Sequence, residues 1–245
     1  MKKVAIITGA ASGIGLATAQ KLLETGFLVC ATDRDPSALN SFVETLNPSL
    51  SENFLPISMD VNQMESIEKA KNTIVSKWGQ IDVLVNNAGI FETCSFTEMT
   101  EESFTRILNT NLLGVFRCTK LFSQEMIKRK EGKIINLSSI AASKGAPGAS
   151  HYSASKGAVS AFSLSLAAEL AKFNIQVNVV QPGFIETPMM NANQEQMKVI
   201  AAWRIPTRRL GQPWEIAEAI HYLATSRSSY FTGAHILIDG GFSLG

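Results

Sequence analysis

Seven short apolar runs punctuate the chain: Val4–Ile7, Leu28–Ala31, Phe54–Ser58, Ile81–Val85, Lys133–Leu137, Gln176–Val180 and His235–Ile238. Several are apolar at nearly every position, as expected of parallel strands covered by helices on both faces. Between the runs, apolar residues recur at helical spacing and predict helices over Ile14–Glu24, Pro36–Leu46, Gln63–Trp78, Glu101–Lys130, Tyr152–Phe173 and Pro213–Thr225. Boundary signals support these spans. Asp35-Pro36 places an acid at an N-cap and a proline at the first helical position, and Gln212-Pro213 repeats the proline. Asp60 or Asn62 is placed to cap the helix beginning near Gln63, and Gly26 and Gly79 stand where C-terminal caps belong.

Strand–helix alternation at this spacing predicts an α/β fold, a doubly wound parallel sheet of about seven strands with right-handed crossovers. No repeat or low-complexity tract divides it, so residues 1–245 are expected to form one domain. Sheets of this kind bind ligands beyond the carboxyl ends of their strands, at the point where strand order reverses. The residues that follow each strand are therefore the candidates for chemistry.

Composition narrows the classes. Lys plus Arg number 22 against 21 Asp plus Glu, a net charge of +1, and 45% of residues are hydrophobic. Disorder requires low hydrophobicity and high net charge, and nucleic-acid binding requires a basic excess, so neither is expected. Cys30, Cys94 and Cys118 are scattered and odd in number, with no CxxC spacing, so neither a disulfide framework nor a metal site is indicated. Met1-Lys2-Lys3 before Val4–Ile7 resembles the start of a signal peptide, but the apolar run stops after four residues at Thr8-Gly9. A buried first strand explains it better, and the expectation is a cytoplasmic protein with no membrane partner.

Thr8-Gly9-Ala10-Ala11-Ser12-Gly13-Ile14-Gly15 follows the first run and leads into a helix. Glycines there permit a tight turn and let the backbone approach a pyrophosphate, whose charge meets the helix N-terminus. The spacing is G-x3-G-x-G, and a plain turn would use similar residues. Asp33 stands eighteen residues after Gly15, at the end of the second run. An acid about 20 residues beyond such a loop accepts hydrogen bonds from the adenosine ribose, and its charge repels a 2′-phosphate. Asp33 thus favours NAD, with NADP less likely. Arg34 beside it complicates this, because a guanidinium pairs well with phosphate.

Tyr152-Ser153-Ala154-Ser155-Lys156 sets a phenol and an ammonium on one helix face. An unperturbed tyrosine ionises near pH ~10, too high for an efficient base, and a neighbouring cation lowers that value. A solvated Tyr–Lys pair has the same spacing. Ser138-Ser139, at the end of the fifth run and thirteen residues before the tyrosine, adds a hydroxyl able to bond a substrate oxygen.

Taken with these, Asp60-Val61, Asn86-Asn87-Ala88-Gly89, Asn111 within Asn109–Gly114, Pro182-Gly183 and Asp239-Gly240-Gly241 resemble a short-chain dehydrogenase/reductase from Lys3 to Gly241. The resemblance implies a Rossmann-type single domain that transfers hydride between NAD(H) and a secondary alcohol or ketone. It implies Tyr152 as acid/base, Ser139 rather than Ser138 as the polarising hydroxyl, Lys156 on the nicotinamide ribose, and Asn111 holding a water in a proton relay. Cofactor contacts implied in the same way are Gly9, Ser12, Gly13, Ile14, Gly15, Asp33, Arg34, Asp60, Val61, Asn87, Ala88, Gly89, Pro182, Gly183, Ile185 and Thr187, together with Tyr152 and Lys156.

By the same resemblance the substrate pocket draws on Phe91, Cys94, Ile140, Ala149, Met189 and Met190, with a substrate loop around residues 187–210. Such a lining is mostly apolar and suits a small alcohol or ketone of modest polarity. Glu92 either meets a hydroxyl or faces water, and His151 is read as a surface or packing residue. Small residues along Tyr152–Phe173 permit close helix contact, and the resemblance implies a homotetramer. Two other readings stand beside this one: an NADPH-dependent 3-oxoacyl-carrier-protein reductase, and a non-catalytic NAD-binding sensor.

Overall fold

The computed structural model describes residues 2–244, and their side chains except at residues 45 and 191–197. Each apolar run forms a strand: β1 (Val4–Thr8), β2 (Leu28–Asp33), β3 (Phe54–Ser58), β4 (Val83–Asn86), β5 (Gly132–Leu137), β6 (Ile175–Pro182) and β7 (His235–Ile238). They pair in parallel in the order β3-β2-β1-β4-β5-β6-β7. Order reverses between β1 and β4, so the crevice lies beyond Thr8 and Asn86. β4 begins two residues later than its apolar run, just after Asp82, whose carboxylate accepts the Val4 N–H at 2.6 Å and pairs with Arg129 at 2.8 Å.

The crossovers include α1 (Gly13–Glu24), α2 (Pro36–Thr45), α3 (Met64–Trp78), α4 (Glu101–Leu108), α5 (Gly114–Arg129), α6 (Ala141–Lys144), α7 (Ser150–Leu170), α8 (Gln194–Arg204) and α9 (Pro213–Thr225). Leu22, Leu23, Leu39, Ile216 and Ile220 cover one face of the sheet. Ile67, Ile74, Phe122, Met126 and Leu170 cover the other. Apolar runs without alternation are thus explained by burial on both sides.

Most helix-end signals act as read. Asp35 accepts from the N–H groups of Ser37 and Ala38, Gln212 and Glu215 form a capping box, and Gly79 ends α3 at φ +74°. Asp60 and Asn62 do not cap α3, whose N-cap is Gln63. Asp60 instead accepts the Asn62 N–H at 2.8 Å, and Asn62 reaches across to Asn109 at 3.0 Å and Thr110 at 3.3 Å. The long helix expected over 101–130 is interrupted by a π-helical turn at Asn109–Leu113. Among the described residues, no helix is long and apolar enough to cross a membrane, and no cluster of three His, Cys, Asp or Glu could hold a metal.

Candidate active site

Three segments meet at the crevice. Gly9 lies at φ +65°, where a side chain is strained, and a Cβ there would come within 2.8 Å of the Ala88 Cα. Gly13, at φ +53°, faces Thr187 in the same way, with the Thr187 Cγ2 3.1 Å from where a Cβ would sit. Asn87 locks the first two segments together: its Nδ2 donates to the carbonyls of Thr8 (3.0 Å) and Gly9 (2.9 Å). The Thr8 hydroxyl oxygen in turn accepts the N–H groups of Asn87 and Ala88, each at 3.0 Å. Asn87 thus acts through the glycine loop. Thr8 opens the glycine-rich loop in the sequence, but its role in bracing Asn87 and Ala88 has no signal there.

The cradle fits a dinucleotide. Ser12 is the N-cap of α1 with its side chain uncommitted, and the side chain of Ile14 packs into the core, leaving its backbone N–H as the polar group there. A cleft of about 190 Å³ is lined by Asp33, Arg34, Asp60, Val61, Ala88 and Gly89, all expected cofactor contacts. The Asp33 carboxylate is fixed at its edge by the N–H groups of Ala11 and Asp35, both at 3.2 Å. On the far side, Gly183 donates to the Ile238 carbonyl at 2.8 Å. Ile185 pairs with Gly211, and its side chain is buried in the core, so only its backbone remains for a ligand.

The reactive groups gather beyond β5. Ser138 turns inward, donating to the Lys156 carbonyl at 2.8 Å and bonding the Ser160 hydroxyl at 2.9 Å. Ser139 is half-exposed, its hydroxyl oxygen accepts the Ala141 N–H at 3.2 Å, and it lies close enough to the Tyr152 phenol to favour its ionised form. The alternating direction of successive residues separates the two serines into a framing group and a site group. Lys156 is buried, donates to the Leu137 carbonyl at 2.7 Å, and its Nζ lies 5.8 Å from the Tyr152 ring centroid. Burial lowers its pKa to about 8. The lysine was expected to lower the tyrosine pKa. Here burial raises the Tyr152 value, against the opposing effect of the Ser139 hydroxyl.

Asn111 sits inside the π turn, a local widening frequent at functional sites. Its Oδ1 accepts the Ile90 N–H at 2.8 Å, and its Nδ2 donates to the Ile90 carbonyl (3.0 Å) and the Ser155 hydroxyl (3.1 Å). Both amide hydrogens and one oxygen lone pair are committed, which leaves one lone pair for a water. Ile90 and Ser155, invisible as site residues in the sequence, are thus part of the frame.

The expected substrate residues divide. Phe91 and Cys94 are half-exposed, Met189 is 48% exposed, Met190 is half-exposed, and Ile140 shows only an edge. Ala149 is fully buried and offers no surface to a substrate. Glu92 is half-exposed, and its carboxylate pairs with Arg106 and accepts the Ser103 hydroxyl at 3.4 Å. His151 is fully buried, and neither ring nitrogen meets a hydrogen-bonding partner among the described residues.

A doubly wound sheet with a glycine cradle at its switch point and a Ser–Tyr–Lys group beside it defines a nucleotide-dependent oxidoreductase. The comparisons make the class specific. A family model described as enoyl-(acyl carrier protein) reductase matches residues 9–243. The chain is 43% identical over 239 residues to a 3-oxoacyl-(acyl-carrier-protein) reductase FabG of Thermotoga maritima, covering 98% of this chain and 97% of that one. It is 37% identical to an acetoacetyl-CoA reductase of an Acinetobacter species, covering 98% and 97%. A solved structure, ElxO with NADP bound, superposes with a TM-score of 0.93 at 34% identity, covering all of both chains. The chain belongs to the short-chain dehydrogenase/reductase family, and it is an oxidoreductase of CH–OH groups with a nucleotide cofactor.

Proposed function

We propose that the protein reduces 3-oxoacyl thioesters, on an acyl carrier protein or coenzyme A, to the corresponding 3-hydroxyacyl thioesters. The observation that carries the chemistry is the buried Lys156, held by the Leu137 carbonyl with its Nζ 5.8 Å from the Tyr152 ring, and the Ser139 hydroxyl near the same phenol. The names of the relatives support the substrate class. A bound nicotinamide nucleotide supplies the hydride. Ser139 donates to the carbonyl oxygen of the substrate and Tyr152 delivers the proton to that oxygen, so the alkoxide is never released. In the oxidative direction the phenolate takes the proton back. Lys156 holds the ribose hydroxyls beside the phenol, while Asn111 keeps a water in line for proton resupply. All of the reacting groups are present, which argues against a sensor that only binds the nucleotide.

NAD(H) is the cofactor on this reading, even though ElxO is a structure with NADP bound. The Asp33 carboxylate is anchored at the cleft by two backbone N–H groups and cannot swing away from a 2′-phosphate without losing both. The protein works in the cytoplasm as one domain and as a homotetramer. Exposed apolar side chains on α5 and α7, Phe116 (39%) and Leu164 (49%), support the contact between copies.

The test follows the absorbance of NADH and of NADPH with acetoacetyl-CoA, a longer 3-oxoacyl thioester and simple ketones. Faster turnover of the thioesters with NADH is expected. A clear preference for NADPH overturns the reading of Asp33, and turnover of simple ketones alone overturns the thioester. A monomer by light scattering overturns the assembly.

A further inference from the structure

Phe91 packs directly on the tyrosine assigned to proton transfer. The ring centroids are 5.0 Å apart and the planes nearly perpendicular at 87°, so no atom fits between them. The segment that carries Phe91 is held from several sides. Asn111 grips both backbone groups of Ile90, at 2.8 and 3.0 Å. The carboxylate of Glu92 is held by Arg106 and by the Ser103 hydroxyl, the latter at 3.4 Å. The Cys94 N–H donates to the Gly148 carbonyl at 2.8 Å, two residues before α7 begins. Residues 90, 92 and 94 are thus each tied to a different neighbour, and the ring between them has little freedom.

We infer that Phe91 is the residue that both orients the Tyr152 phenol and sets the size of the smaller carbonyl substituent the site accepts. The inference rests on Tyr152 as the acid/base. A carbonyl whose oxygen reaches the Ser139–Tyr152 pair lies with one substituent along the phenol. On the side closed by Phe91, that substituent must be slender and unbranched, a methyl or methylene. Ketones with two bulky substituents are excluded. A linear 3-oxoacyl chain satisfies the limit, because both groups on its carbonyl carbon begin with a methylene or methyl. Asn111 then has a positioning role besides its water: it holds the backbone that holds Phe91.

The experiment compares Phe91→Ala, Phe91→Leu and Phe91→Tyr with the parent enzyme, on a methyl ketone and a bulky aryl ketone. Cofactor affinity by fluorescence titration reports that each variant is folded. Loss of the ring pair frees the phenol, and kcat on the methyl ketone is expected to fall about two- to tenfold in Phe91→Ala. The aryl-to-methyl ratio of kcat/KM is expected to rise by about tenfold or more, since a pocket wall discriminates by roughly that factor per small group. Phe91→Leu falls between, and Phe91→Tyr restores the parent ratio. An unchanged ratio in Phe91→Ala, or an equal loss on both ketones, overturns the inference. The simple ketones make the result independent of thioester recognition. Turnover retained by Tyr152→Phe would refute the acid/base reading separately.

Discussion

Lys156 is resisted by the fold, and the proposed chemistry asks for it there; Lys156→Met separates the two. The ammonium is about 5% exposed and its pKa falls from 10.5 to about 8, with burial as the cause. That difference corresponds to about 3 kcal/mol at roughly 1.4 kcal/mol per pKa unit. Below about pH 8 the lysine is charged both folded and unfolded, and the folded state carries the full penalty. Between about 8 and 10.5 the folded lysine gives up its proton while the unfolded one keeps it, so stability rises with pH. Methionine matches the lysine stem without the charge, but leaves the Leu137 carbonyl unpaired at a cost of about 1–2 kcal/mol. The variant is therefore expected to be more stable than the parent at pH 7 by about 1–2 kcal/mol, while losing turnover. Urea unfolding of both proteins at pH 7 and pH 10 measures this, and the advantage should shrink or reverse at the higher pH. A variant less stable at pH 7, with a difference that does not move with pH, would refute the claim that the buried ammonium strains the fold.

Two further substitutions test the frame and the chemistry. Tyr152→Phe keeps the ring that meets Phe91 and removes only the proton carrier, so cofactor binding should persist while turnover falls by orders of magnitude; measurable activity near the parent rate would place the acid/base elsewhere. Asn87→Ala deletes two hydrogen bonds to the carbonyls of Thr8 and Gly9, which should lower stability by about 2 kcal/mol and weaken cofactor binding. Equal cofactor affinity, read by fluorescence titration, would show that the glycine loop holds its shape without Asn87.

Much of this fold was legible because its signals are local. Runs with no alternation mark doubly covered strands, and Asp35-Pro36 announces a helix without reference to anything distant. What escaped is non-local. The partners of Asp82, at the head of β4, are the Val4 N–H and Arg129, each more than forty residues away. Asn62 has the composition of a helix cap, yet its partners are Asn109 and Thr110, nearly fifty residues away. The π turn around Asn111 leaves no trace in the hydrophobic spacing, since one widened turn shifts the pattern by less than its scatter. Direction is lost too, which is why Ala149 was expected at the substrate pocket and is enclosed instead.

The same contrast divides the polar residues of the site. Asn87, Asn111 and Ser138 spend their hydrogen-bonding groups mainly on other parts of the chain, whereas Ser12 makes no capping bond and Ser139 accepts one backbone N–H and keeps its O–H to donate. Motif matching treats both sets alike, because it registers residue type and spacing and not what each side chain touches. Physically they differ: removing a framing group moves backbone and weakens every ligand together, whereas removing a reacting group leaves binding intact and stops one step. The near-neutral charge belongs with the first set, since a glycine loop braced by Asn87 at a helix N-terminus can offer backbone N–H groups to an anion without a basic patch. Variation in substrate must then come from side chains that line the pocket without reacting, and Phe91, its ring 5.0 Å from that of Tyr152, is one of them.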